Sequence, residues 1–266
     1  MKYRRLIVTA LMTLICIFCI NKLYKYYSPA KERQIYHTEQ HSDDTLRIAF
    51  IGDSWALGHK HHTCQISALL TNIIRYPVSI KSYGIGGLTS KEVYNALFEI
   101  KEFKTFMKRG YDYCILSVGI NDTNKKMGLT YYKKSVDCII HFLLTNHIYP
   151  IILEIPDYNI YKSYETGKTY DKVVKHLSMI INGSPFDCKQ EFRDALNELI
   201  RDKGYRDDVI TIHNKSWNNN YEKDLEKIYN SDQVHLNEKG YQALDSIIAK
   251  EVYKHYMCRP LKKHDN

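Results

Sequence analysis

Four short clusters carry groups able to move an acyl chain: Gly52-Asp53-Ser54, Gly84-Ile85-Gly86-Gly87, Gly119-Ile120-Asn121-Asp122 and Asp232-Gln233-Val234-His235. A serine hydroxyl is a weak nucleophile until a base removes its proton. A neutral imidazole does this near pH 7, provided an acceptor on its other nitrogen fixes the tautomer. The three-residue step from Asp232 to His235 keeps carboxylate and ring within one turn of chain. The attacked carbonyl develops negative charge, which needs fixed hydrogen-bond donors. The Ser54 amide, a glycine amide of the second cluster and the Asn121 side chain can supply them. The reading is a nucleophile, Ser54, a base, His235, and a carboxylate, Asp232, that orients the base.

Each piece alone has a plainer reading. Ser54 can cap a helix, Asn121 can make a turn, and His235 can be a surface histidine. Weight comes from their order and from the elements that must position them. Apolar runs at Leu46–Ile51, Val78–Tyr83, Tyr113–Val118, Tyr149–Ile155 and Val209–His213 predict strands. Helical spacing predicts helices over Cys64–Arg75, Lys91–Met107, Tyr131–Asn146, Tyr170–Ile181, Glu191–Lys203 and Asn237–Tyr256, with Asn237 as N-cap of the last. Strands alternating with helices give a mainly parallel sheet covered on both faces. Active sites of such sheets lie beyond the carboxyl ends of the strands. The first three clusters follow the first three strands, and the fourth precedes the last helix. Residues 157–188 are the least regular stretch and read as a lid or substrate wall.

With these four blocks in this order, the chain resembles the SGNH, or GDSL, hydrolase family over roughly residues 46–256. The resemblance implies a flavodoxin-like three-layer α/β/α sandwich with a five-stranded sheet. It implies Ser54, Asp232 and His235 as the triad, and Ser54, Gly87 and Asn121 as the oxyanion hole. Two positions depart from the family pattern. Ser82 stands where asparagine often opens the second block, and Trp55 replaces the usual leucine after the serine. The departures leave Gly84 and Gly86 open beside Gly87.

Other residues that can do chemistry carry less. His59, His61 and His62 suggest a metal, but no carboxylate or cysteine pattern accompanies them, so a solvated helix start is preferred. Gly84 to Gly87 lacks the full GxGxxG spacing of a dinucleotide loop. Glu154 and His213 end strands and read as polar residues at the sheet edge. Tyr131, Tyr132 and Trp217 can stack on sugars but read as core or surface aromatics. No cofactor or metal is expected.

The chain has 266 residues, a hydrophobic fraction of 44% and a charged fraction of 26%, enough for one domain with an appendage. The net charge of +8 gathers partly at the two ends, with no Arg-aromatic stripe of a nucleic-acid footprint. Lys2, Arg4 and Arg5 precede the uncharged run Leu6–Ile20, the pattern of an export signal. No small-x-small cleavage site follows, so an uncleaved anchor is preferred to a cleaved, secreted form. The expected organisation is an anchor or signal peptide (1–20), a polar linker (21–44), a hydrolase domain (45–258) and a basic tail (259–266). The catalytic domain is then exported, periplasmic or extracellular, with the membrane contacted through the N-terminal segment. Seven cysteines, widely spaced and without CxxC, indicate no zinc or redox motif, and Cys114 and Cys138 read as buried thiols.

The functional expectation is ester cleavage through an acyl-enzyme, with an O-acetyl or short acyl ester of a glycan as substrate and no nucleic-acid partner. Two alternatives stay open: an O-acetyltransferase using the same triad, and a glycan- or partner-binding domain that keeps the motif without catalysis.

Overall fold

The computed structural model describes residues 2–41, 43–218 and 220–258; the basic tail lies outside them. Five strands, β1 (Leu46–Gly52), β2 (Val78–Gly84), β3 (Tyr113–Ser117), β4 (Tyr149–Leu153) and β5 (Ile210–Ile212), form one sheet in the order β2-β1-β3-β4-β5, all parallel. The helices are α1 (Lys2–Tyr27), α2 (Ser54–His59), α3 (Thr63–Ile74), α4 (Ser90–Glu99), α5 (Lys101–Lys108) and α6 (Ile120–Asn124). They continue as α7 (Leu129–Thr145), α8 (Ile160–Glu165), α9 (Thr169–Asn182), α10 (Lys189–Asp202), α11 (Tyr221–Lys227) and α12 (Glu238–Cys258). This is the parallel sheet with helices on both faces that the alternation of apolar runs predicts, and the flavodoxin-like three-layer α/β/α sandwich that the family resemblance implies.

β1 and β3 are buried almost throughout because helices cover both faces. Ile48, Phe50, Ile115, Ile151 and Ile152 are fully enclosed, each side chain contributing about 1.5–3 kcal/mol. Helix α12 packs on α3 along one face, while α4 and α10 pack on α7 along the other. Asn237 caps α12 as expected, its Oδ1 accepting from the Gly240 N–H at 3.0 Å.

Three features differ from the sequence reading. The single helix expected over Lys91–Met107 is two, α4 and α5, broken at Ile100, whose backbone is extended (φ −95°, ψ 114°). No glycine or proline marks the break. The short helices α2, α6, α8 and α11 hold too few turns to show an apolar period. The polar stretch after α1 is also not a free tether. Its backbone N–H groups at Ala30, Arg33, Thr38 and Glu39 donate to Ser135 Oγ, Tyr94 Oη, Asn146 Oδ1 and the Lys108 carbonyl. Composition reads as linker, but the partners are side chains and carbonyls distant in sequence.

Helix α1 contains a span, Ile7–Tyr27, long and apolar enough to cross a membrane, with mean hydropathy 1.9 and no part of it buried by the rest of the chain. A signal anchor and a signal peptide both fit such a helix.

Candidate active site

β1 and β3 are neighbours although β2 intervenes in sequence, so their connections leave toward opposite faces. A crevice opens at this switch point, beyond the carboxyl ends of the strands. Ser54 follows β1 and Asn121 follows β3, so both border it.

The turn that carries Ser54 is pinned from below. Gly52 has φ +145°, and a Cβ there would lie 2.0 Å from the Ser117 carbonyl oxygen, so only glycine ends this strand. Asp53 is the N-cap of α2, its Oδ1 accepting from the Trp55 N–H at 3.0 Å and from the Ser117 hydroxyl at 2.9 Å. The cap is therefore Asp53 and not Ser54, which frees the serine hydroxyl. Burial pushes the Asp53 carboxyl up to about 6, against the downward pull of the bonds from Trp55 and Ser117.

The loop after α11 presents the other two groups. Asp232 Oδ1 accepts from the N–H groups of Val234 and His235 at 2.9 and 3.0 Å. Its Oδ2 lies 2.6 Å from His235 Nδ1, and His235 Nε2 lies 2.9 Å from Ser54 Oγ. Burial raises the Asp232 carboxyl, but the bonds from the His235 ring and from these two amides outweigh it and hold the group below its ordinary range. Asp232 is thus ionised where the ring needs an acceptor. Gln233 between them takes a left-handed backbone (φ 56°). Asn159 holds it there, donating from its backbone N–H to the Gln233 carbonyl at 2.9 Å and from Nδ2 to Oε1 at 2.7 Å. The Asp232 and His235 side chains are 48% and 42% exposed, so the relay lies open to solvent.

The opposite rim carries the candidate donors. Gly86 faces the serine, since a Cβ built on it would lie 3.9 Å from Ser54 Cβ, whereas one on Gly87 (φ +80°) meets nothing within 4 Å. Asn121 Nδ2 donates to the Leu88 carbonyl at 3.0 Å, which uses one of its two N–H bonds and leaves the other for a bound oxygen. Asp122, the next residue, is buried and anchors α6 to α4 by accepting from the Ser90 N–H at 2.9 Å and the Ser90 hydroxyl at 2.6 Å.

The model of the GDSL-like lipase/acylhydrolase family matches residues 50–243, nearly three quarters of the chain. The chain belongs to that family. It is a hydrolase acting on ester bonds. Among solved structures, it is similar to the lipase/acylhydrolase of Enterococcus faecalis, at 14% identity over 79% of this chain and 96% of that one, with a TM-score of 0.53. It is similar also to Axe2, an acetylxylan esterase from Geobacillus stearothermophilus, at 13% identity over 78% and 94% of the two chains, with a TM-score of 0.52. A search of curated protein sequences finds no match.

The positions where this GDSL-like hydrolase departs from the family pattern have structural employment. Ser82 Oγ donates to the Phe50 carbonyl at 3.2 Å and to the Ala56 carbonyl, joining β2 to β1 and α2. Trp55 is buried, and its Nε1 donates to the Val234 carbonyl at 3.1 Å, between Asp232 and His235. Sequence reasoning gave Trp55 no part in the site. Its one signal was a large aromatic residue directly after Ser54.

The remaining candidates separate from the site. His59 is not at a solvated helix start. It is fully buried, with Nε2 2.6 Å from Asp245 Oδ1 and its ring on Phe50. The carboxylate that partners it lies far along the chain, on α12, which sequence spacing cannot reveal. His62 stacks on Tyr241. Among the described residues, no group of three or more His, Cys, Asp or Glu side chains has metal-holding geometry. Tyr131 and Tyr132 are core residues, as are Cys114 and Cys138. Trp217 packs edge-on against Trp55 at 5.7 Å. Glu154 is buried and accepts from the Asn214 N–H at 2.8 Å, with His213 beside it at 3.4 Å. A cavity of about 560 Å³ lined by Lys60, Lys81, Tyr83, Lys101 and Arg109 flanks the edge strand β2; Ser54, Asp232 and His235 do not line it.

Proposed function

We propose that Ser54 attacks an ester carbonyl, with His235 as general base and Asp232 as the group that orients and stabilises the imidazolium. The continuous relay of 2.9 and 2.6 Å from Ser54 Oγ to Asp232 is the observation that carries this reading. His235 takes the serine proton as the carbonyl carbon is attacked, then gives it to the leaving alcohol, and water releases the acid by the same steps. The amides of Ser54 and Gly87 and the Asn121 side chain donate to the oxyanion. The substrate is an O-acetyl or short acyl ester of a glycan. The open relay supports a small acyl group on a large alcohol, since a long acyl chain wants an enclosed apolar slot. The acetylxylan esterase among the similar folds supports the same class. Residues 6–20 anchor the chain in the membrane, and the catalytic domain is exported.

The test is covalent labelling with a fluorophosphonate, followed by p-nitrophenyl esters from acetate to palmitate and by acetylated xylan and peptidoglycan. The label is expected on Ser54, and turnover is expected to favour acetate. Ser54→Ala should leave only the roughly 10³-fold residual acceleration of the remaining site. Near-full turnover by folded Ser54→Ala protein rules the mechanism out. Preference for palmitate removes the glycan ester.

A further inference from the structure

Helix α9 is oriented opposite to what burial requires. Its apolar residues Tyr170, Val173, Leu177, Ile180 and Ile181 recur at three- and four-residue steps and share one face. These five side chains are between 52% and 78% exposed. A soluble domain turns such a stripe inward, and a contiguous exposed apolar face marks a docking surface. The inward side instead carries Lys172 and Lys175. Lys172 donates to the Glu165 carbonyl at 3.0 Å, and Lys175 to Asn124 Oδ1 at 2.8 Å.

What covers the stripe follows from its neighbour. The carboxyl end of α1 meets α9 directly, with Tyr27 Oη 2.5 Å from Ser178 Oγ. Lys91 on α4 donates to the carbonyls of Lys25 and Ser28, the latter at 2.7 Å, so the end of α1 is fastened to the domain. If Ile7–Tyr27 crosses a bilayer, its last turn lies at the bilayer surface, and so does the helix bonded to it. An apolar face with lysines on the other side is the composition of a helix lying in a membrane interface.

We propose that α9 is an interfacial helix whose apolar stripe beds into the lipid surface from which α1 emerges. The proposal rests on α1 being an uncleaved anchor. Contact through α1 alone leaves the domain free to turn about the axis of that helix, whereas contact through α1 and α9 together fixes its orientation. The orientation bears on the site, because Asn159, the N-cap of α8 just ahead of α9, clamps Gln233 between Asp232 and His235.

The test uses the full chain in phosphatidylcholine–phosphatidylglycerol vesicles whose acyl chains are brominated or not. Ile180→Trp on α9 and Leu14→Trp within α1 are compared with the wild type, whose own two tryptophans set the background. Brominated lipid is expected to remove most of the emission added by either substitution, and the Ile180→Trp emission is expected to shift to the blue. Quenching of Leu14→Trp without quenching of Ile180→Trp overturns the interfacial helix and leaves the anchor standing. Quenching of neither removes both readings. Unquenched Ile180→Trp emission that changes with protein-to-lipid ratio assigns the stripe to a second copy of the chain and equally overturns the proposal.

Discussion

The Trp55 indole N–H donates to the Val234 carbonyl at 3.1 Å, so the residue after Ser54 holds the loop that carries His235. The two sit 179 positions apart, and few other bonds join α2 to that loop. The ring also packs against Trp217 and Tyr229, so its position is fixed on several sides. Trp55→Phe keeps most of the packing and removes the N–H. The expected result is a fold close to wild type, a Ser54–His235 contact less well held, and kcat lowered about fivefold, since one neutral hydrogen bond is worth about 1 kcal/mol. KM should change little. Steady-state kinetics with an unchanged melting temperature check this; unaltered kcat would leave Trp55 a core residue only.

Asp232 holds the orientation of the His235 ring. Its carboxylate lies 2.6 Å from Nδ1, and the same bond helps hold the Asp232 carboxyl below its ordinary range, so it accepts as a carboxylate. Asp232→Asn keeps the shape of the side chain and removes that charge. Its kcat/KM should fall by orders of magnitude, because the tautomer is no longer fixed. A kcat/KM within about tenfold of the wild type, from folded protein, counts against a direct Asp232–His235 coupling.

Asn121 tests the oxyanion assignment. One N–H of its amide is used by the Leu88 carbonyl, and the other is available to an oxygen whose charge grows only along the reaction. The bond then acts on kcat, and Asn121→Ala should lower it by about 10² to 10³ with KM nearly constant. Asn121→Asp should be at least as damaging, since it sets negative charge where negative charge develops. Folding is checked by circular dichroism and melting temperature. A loss below about threefold would make Asn121 a turn residue.

Asp53 gives the stability profile an unusual sign. Burial pushes its carboxyl up to about 6, above the roughly 3.9 of the unfolded chain. Between these values the folded state binds more protons than the unfolded state, so this group's contribution to stability falls as pH rises from about 4 to 6. At about 1.36 kcal/mol per pH unit, two units give about 3 kcal/mol at most. Asp53→Asn keeps an acceptor for Trp55 and Ser117 without the charge. The difference in melting temperature, wild type minus variant, should be more positive at pH 4.5 than at pH 7. An equal difference at both would show that Asp53 does not titrate in this window. Asp122 is pushed up to about 6 in the same way, so the wild-type profile holds contributions from both.

The sheet and the four blocks at its carboxyl edge were legible from the residues alone, because both are written locally. A run such as Leu46–Ile51 has to be enclosed on two faces, and a glycine before Asp53 or before Ile120 has to end a strand in a turn. The Asp232-to-His235 step is local too, and so was legible. Tertiary structure decided everything that depends on partners distant in the chain. It gave the helix cap to Asp53 through Ser117 on the next strand, and it buried His59 by supplying Asp245 from the last helix. It bound the stretch after α1 to the domain, although its polar composition reads as a linker. It tied Trp55 to Val234 and turned the apolar face of α9 outward beside Tyr27. Composition and spacing fix which face of an element is apolar; only packing decides whether that face meets the core, the solvent or a membrane.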